Sequence, residues 1–275
     1  MDTLKSCEEM SAWSSVHRAE GRTIGLVPTM GFLHAGHMSL MTLLRPRVDR
    51  LVVSIFVNPL QFGPEEDLEN YPRDLERDAE LCRAAGVDAL FTPEMFYPDS
   101  FRTTVSVAGL TGRWCGASRP THFDGVTTVV ARLLAVTQCH QASFGEKDYQ
   151  QLAVIRQMVS DLGMPVEILA GPLVRDEDGV ALSSRNAYLD AQTRVRARTL
   201  HQALYAMRDA VLGGEGEVEA LLALGHQTLD CDQLDYLAVV DAMTLEPLQE
   251  VSRPARALVA ARYGATRLID NVAVG

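Results

Sequence analysis

Several things this chain lacks narrow its possible roles. No window approaches the ~18 consecutive apolar residues that a membrane-spanning helix requires. Its first residues, MDTLKSCEEMSAW, contain no apolar secretory core. A soluble, cytoplasmic protein with no membrane partner is therefore expected. Cysteine is sparse: Cys7, Cys82, Cys115, Cys139 and Cys231 are odd in number, widely scattered and never a close pair. That excludes a disulfide framework or a zinc knuckle and points to reduced thiols. Positive charge is also short, with 25 lysines plus arginines against 36 aspartates plus glutamates and a formal charge of -11. Such a balance speaks against a general nucleic-acid binder, though it leaves room for a local basic pocket. Neither an internal repeat nor a low-complexity linker is visible.

What is present begins with the stretch PTMGFLHAGH at residues 28–37. Before it, residues 23–27 (TIGLV) form the short apolar run of a parallel strand buried on both faces. After it, residues 38–44 (MSLMTLL) have helical composition. A strand, a glycine-bearing turn and a helix start make a place for phosphate. The first helical turn leaves backbone N–H groups unpaired at the positive end of the helix dipole, and glycine lets a ligand approach the main chain.

The same alternation continues along the chain. Residues 50–57 (RLVVSIFV) read as a second strand, stopped by Asn58-Pro59 because proline lacks an N–H and biases its predecessor to extended geometry. A polar loop over 60–72, a helix over 74–85 and a third strand at 89–91 follow. Residues 94–104 are loop-like and 102–107 are compatible with a strand; 125–136 read as an apolar helix, 140–144 as a strand, 149–162 as a helix and 165–169 as a strand. Together they predict a Rossmann-like, doubly wound parallel sheet over residues 1–170, with its ligand beyond the carboxyl ends of the strands. From 171 to 275 the pattern changes to a long helix at 193–212, a GGEG break, a second helix to about 224 and three strand-like runs. A smaller α+β domain is expected there. That domain and the 60–72 loop are candidate lids.

Three polar clusters follow strand ends: His34 with His37, Asn58 with Gln61, and Gly145 with Lys147 and Asp148. The two histidines could be structural, or donors to phosphate that stabilise charge appearing in a transition state. As zinc ligands they lack partners at matching spacing. GEKD at 145–148 is either a solvated charged turn or a phosphate lysine beside a ribose-binding aspartate. Gln151, four residues after Lys147, shares its helix face. The run VRDEDGVALSSRN at 174–186 reads as an acidic turn before a cap, or as a phosphate clamp in which Arg185 spans two oxygens and Ser183 and Ser184 add hydroxyl donors. Arg119, in SRPTHF, reads alone as part of a turn.

In this order, PTMGFLHAGH, SIFVNPLQFGP, SRPTHFDGV, FGEKDYQQL, VRDEDGVALSSRN, LDYLAVVDAMTLEPL and ALVAARYGATRLIDN resemble the pantothenate synthetase family from the first strand to the carboxyl terminus. The HxGH element alone would indicate only the wider nucleotidyltransferase superfamily. The resemblance implies ATP-dependent joining of pantoate to β-alanine through a pantoyl adenylate, with ATP as substrate, Mg2+ bridged by its phosphates, and a homodimer. It carries over His37, His34, Lys147 and Arg185 as catalytic groups. Met30, Gly31, Gly145, Asp148, Val174, Leu182, Ser183 and Ser184 become nucleotide contacts, and Gln61, Gln151, Asn58 and Arg119 lie on the substrate side. Ala35, Thr121 and Leu182 depart from residues the family often has there, respectively acidic, glycine and methionine. Rival readings are another small-molecule nucleotidyltransferase and a nucleotide-binding regulator without chemistry.

Overall fold

The computed structural model describes every residue except Glu65, which falls within the loop expected over 60–72. Two units share the chain. The first comprises Met1–Thr111, Arg119–Glu146 and Gln151–Pro172, and the second Gly112–Ser118, Lys147–Gln150 and Leu173–Gly275. The grouping thus departs from a single cut after residue 170, because two short segments join the second unit. Gln150 accounts for part of this: its Oε1 accepts from Cys115 N at 3.0 Å and its Nε2 donates to Arg113 O at 2.9 Å.

In chain order the first part runs β1 Asp2–Leu4, α1 Cys7–Ala19, β2 Ile24–Thr29, α2 Ala35–Leu44, β3 Arg50–Ile55, α3 Leu75–Ala84 and β4 Ala89–Phe91. Next come the short α4 Cys115–Ser118, then α5 His122–Thr137, β5 Gln141–Gly145, α6 Tyr149–Asp161 and β6 Glu167–Gly171. The six strands form one all-parallel sheet in the order β1-β4-β3-β2-β5-β6. Strand order reverses between β2 and β5, so the crevice for a ligand lies beyond the carboxyl ends of those two strands. Their pairing is brief: only Gly25 with Gln141 and Leu26 with Ala142 are in register. Pro28, which cannot donate to a ladder, comes after the last of these pairs. Helix α1 starts on a reciprocal capping box between Ser6 and Glu9. Leu40, Met41 and Leu44 of α2 bury against Val27, Leu51 and Val53 of the central strands and Ala79 and Cys82 of α3.

Two sequence expectations change. Residues 2–4, for which the sequence predicts no element, form edge strand β1, whose Asp2, Thr3 and Leu4 pair with Ala89, Leu90 and Phe91. Residues 102–107 form no strand. The extended segment instead bonds to helix side chains: Val105 N donates to Thr128 Oγ1 at 2.9 Å, and Thr127 Oγ1 donates to Val105 O.

The second unit holds α7 Ala191–Leu212, α8 Val218–Thr228 and an antiparallel meander of β7 Gln233–Asp241, β8 Ala255–Tyr263 and β9 Thr266–Val274. Leu200, Leu204 and Met207 of α7 and Leu221 of α8 pack on Val239, Val259, Leu268 and Val274 of the sheet. Among the described residues, no helix is long and apolar enough to cross a membrane.

Candidate active site

The turn from β2 to α2 is held from three sides. Thr29 Oγ1 donates to Ser54 O at 2.8 Å and accepts from Gly31 N at 3.2 Å. Gly31 sits at φ +88, where a side chain is strained, and a Cβ there would approach Ile55 Cγ2 to 3.0 Å. Phe32 follows at φ +51. The carboxylate of Asp78, on α3, accepts from Phe32 N and Leu33 N, both at 2.7 Å. It is 1 % exposed, and burial pushes its pKa upward against these two N–H bonds. Asp78 therefore supports the two residues immediately before His34. Sequence reasoning misses it, since one aspartate among the many charges of α3 carries no local signal.

His34 and His37 then cap their own helix. His34 Nδ1 accepts from Gly36 N at 3.1 Å, and His37 Nδ1 accepts from His34 N at 3.3 Å. A ring nitrogen that accepts a backbone N–H carries no proton, so each neutral ring places its proton on Nε2. The two rings lie 4.1 Å apart between centroids. The result is a pair of Nε2–H donors at the positive end of α2, a constellation suited to anionic oxygen.

Asn58, after β3, is a hub rather than an exposed group. It is 1 % exposed; Nδ2 donates to Gln61 Oε1 and Gly125 O, both at 3.0 Å, while Oδ1 accepts from Tyr97 OH at 3.0 Å and Leu60 N at 3.3 Å. All four hydrogen-bonding positions of its amide are thereby used within the chain. Gln61 lies in the short turn Pro59–Gln61, and its Nε2 points at Met30 Sδ at 3.2 Å. The structure thus brings Met30, Asn58 and Gln61 together. Arg119 is clamped too: its guanidinium meets Glu66 through two bonds of 2.6 and 2.7 Å, His122 Nε2 at 2.9 Å and Gln61 O at 3.2 Å. Burial would raise the Glu66 pKa, but Arg119, helped by Gly63 N, holds the carboxyl at about 2.

The remaining candidates occupy other places. Gly145 ends β5 in register with Gly171, beside the strand-order reversal. Gln151 is half-buried near the start of α6. In the second unit, Lys147 Nζ lies 3.6 Å from Asp148 Oδ1, and Lys147 O accepts from Asn271 Nδ2 at 2.9 Å. The segment bearing Val174 and Leu182 is a small hairpin in which Leu182 N donates to Val174 O at 3.0 Å. Its arm is anchored by Arg175, which forms a two-pronged pair with Asp270 at 2.6 and 2.9 Å. Ser183 caps the following turn by accepting from Arg185 N at 3.3 Å, and Ser184 is buried. Among the described residues, no group of three or more His, Cys, Asp or Glu could hold a metal ion.

A Rossmann-type parallel sheet with an HxGH helix start at its switch point defines a nucleotide-phosphate-binding enzyme class. Comparison with known proteins identifies the family. The family model for pantoate-beta-alanine ligase matches residues 2–273. A pantothenate synthetase from Heliobacterium modesticaldum is 48% identical, covering 100% of this chain and 99% of that protein. One from Thermus thermophilus is 54% identical, covering 91% of this chain and 93% of that protein. A crystal structure of pantothenate synthetase from Thermus thermophilus superposes with a TM-score of 0.94 at 49% identity, covering 99% of both chains. The Francisella tularensis pantoate-beta-alanine ligase, solved in complex with beta-gamma ATP and beta-alanine, gives a TM-score of 0.80 at 32% identity over 99% of this chain and 97% of that one. The chain belongs to the pantoate-beta-alanine ligase family, a family of ATP-dependent ligases.

Proposed function

We propose that this chain joins pantoate to β-alanine in two half-reactions. A carboxylate oxygen of pantoate attacks the α-phosphorus of ATP, and the bond to the pyrophosphate leaving group breaks. The β-alanine amine, having lost a proton, then attacks the acyl carbon of the adenylate, and AMP leaves. The reciprocal histidine cap is the observation that carries the reading. It sets the orientation of both imidazoles, and transfer at phosphorus depends more on positioning and charge neutralisation than on a strong base.

On this reading His34 and His37 donate to phosphate oxygens, and Met30 and Gly31 lie against the nucleotide. Lys147 serves the phosphates, Leu182, Ser183, Ser184 and Arg185 close over them, Gly145 and Asp148 hold the ribose, and Val174 contacts the adenine. Gln61 and Gln151 bind pantoate, with Asn58 orienting Gln61. A magnesium ion arriving with ATP would take phosphate oxygens and water as ligands, a coordination it prefers to all-protein cages. A homodimer follows from the family resemblance.

The test is AMP and pyrophosphate formation with ATP, magnesium, pantoate and β-alanine, omitting each in turn. His37→Ala and Lys147→Ala are each expected to slow adenylation more than tenfold, about 1.4 kcal/mol or more in the barrier. Lys5 and Lys147 are the only lysines in the chain. Acetylation mapped by mass spectrometry therefore reports on Lys147 directly, and ATP should protect it. Nucleotide binding without any AMP would favour the non-catalytic alternative.

A further inference from the structure

We propose that Glu66, Arg119 and His122 form a latch that positions Gln61, and that Arg119 acts on pantoate through Gln61 rather than by touching it. The latch rests on the assignment of Gln61 to pantoate. The protonation of His122 follows from its partners. Its Nδ1 lies 2.8 Å from Gln61 O, which can only accept, so Nδ1 carries the proton. Its Nε2 lies 2.9 Å from Arg119 NH1, which can only donate, so Nε2 accepts. Both contacts are met by the neutral ring in one tautomer. Arg119 NH2 adds a second donor to the same carbonyl at 3.2 Å.

The cation that selects this tautomer is itself fixed. Glu66 receives Arg119 Nε at 2.6 Å and NH2 at 2.7 Å, a paired geometry that sets the guanidinium plane. Glu66 Oε2 also accepts from Gly63 N at 3.2 Å, tying the loop after Gln61 into the cluster. With His122, Glu66 and Gln61 O engaged, four of the five guanidinium N–H groups are committed inside the chain. Little of Arg119 is left for a substrate carboxylate.

The latch complements the grip on the other end of Gln61. Asn58 Nδ2 donates to Oε1, which sets the carboxamide so that Nε2 is the edge turned toward Met30. Main chain and side chain are therefore positioned by different groups: the carbonyl by His122 and Arg119, the amide by Asn58. Both arise from the packing of the Pro59–Gln61 turn on the amino-terminal end of α5. Removing the carbonyl grip should let the turn shift while leaving the Asn58 contacts in place.

The experiment uses the full chain and compares His122→Asn, His122→Gln and Glu66→Gln with Gln61→Ala. An asparagine amide places its N–H near the position of Nδ1, whereas a glutamine amide reaches toward Nε2 and leaves Gln61 O without that donor. The latch predicts a pantoate KM raised tenfold or more in His122→Gln, with the ATP KM within twofold. His122→Asn should stay within threefold of wild type, and Glu66→Gln should fall between them. Equal impairment of the Asn and Gln variants toward both substrates, or a wild-type pantoate KM in His122→Gln, overturns the proposal. If His122→Gln does not fold, Glu66→Gln decides it, since an unchanged pantoate KM there also sinks the latch. A Gln61→Ala enzyme with a normal pantoate KM removes the assignment of Gln61 and the latch with it. A raised KM in Gln61→Ala alone removes only the latch.

Discussion

Replacing Gly125 by alanine tests the contact on which the substrate side of the first unit is built. Gly125 is the fourth residue of α5, and its hydrogen faces the Pro59–Gln61 turn. A Cβ at that place would press on the Leu60 carbonyl group and come within 2.5 Å of Gln61 N. Ordinary contacts need about 3.4 Å or more, so turn and helix must part by roughly 1 Å, and neither partner is a side chain that can rotate away. Two energies oppose each other. Alanine improves helix propensity by about 0.8–1 kcal/mol, whereas overpacking against a fixed neighbour costs about 1–3 kcal/mol. The shift also lengthens the 3.0 Å bond from Asn58 Nδ2 to Gly125 O, worth about 1 kcal/mol. The clash wins, and a net destabilisation of about 1–3 kcal/mol is expected. Function should suffer more than stability, because misplacing a substrate group by about 1 Å can cost roughly 10²-fold. Pyrophosphate release with pantoate varied at saturating ATP measures the effect, alongside thermal unfolding. An alanine variant that melts higher than wild type and keeps its pantoate KM would show that the close approach does not set the position of Gln61.

Two further substitutions probe other supports. Asp78→Asn replaces one of two acceptor oxygens with a donor aimed at Phe32 N or Leu33 N; about 1–3 kcal/mol of stability should be lost, and adenylation should fall because the residues before His34 lose their anchor. Urea unfolding and single-turnover adenylation measure both, and unchanged values in the two assays would remove Asp78 from the support of the turn. Thr121 holds φ +70, a left-handed conformation costly for a β-branched residue. Thr121→Gly should therefore stabilise the chain by about 1 kcal/mol despite glycine's greater unfolded-state entropy, and a lower melting temperature would count against strain at that position.

The Thr121 geometry also explains why glycine suits a position that the family pattern often gives to it. Here threonine is carried in a strained turn between Arg119 and His122, and both ends of that turn hold the Gln61 carbonyl. Nothing in the order of the letters SRPTHF distinguishes such a turn from an ordinary surface bend.

What the sequence determined by itself was local and periodic. Apolar β-branched runs at residues 24–29 and 50–55, glycine-bearing turns behind them and helical patterning between them specify a parallel sheet. The HxGH spacing places two histidines on one helix start, because residues three apart share a face. These properties depend on neighbours within a few residues, so they survive reading one letter at a time. Tertiary structure decided which residues act on those elements from far along the chain. Asp78 reaches the turn before His34 from 45 residues away, and Arg119 meets Glu66 across 53. The segment over 102–107 has the composition of a strand, yet its backbone is satisfied by Thr127 and Thr128 of α5. Residues 2–4 become a strand only because β4 offers them an open edge. A hydrogen bond has no memory of sequence separation, so a charged residue that reads as solvated surface becomes an interior support once the chain has closed around it.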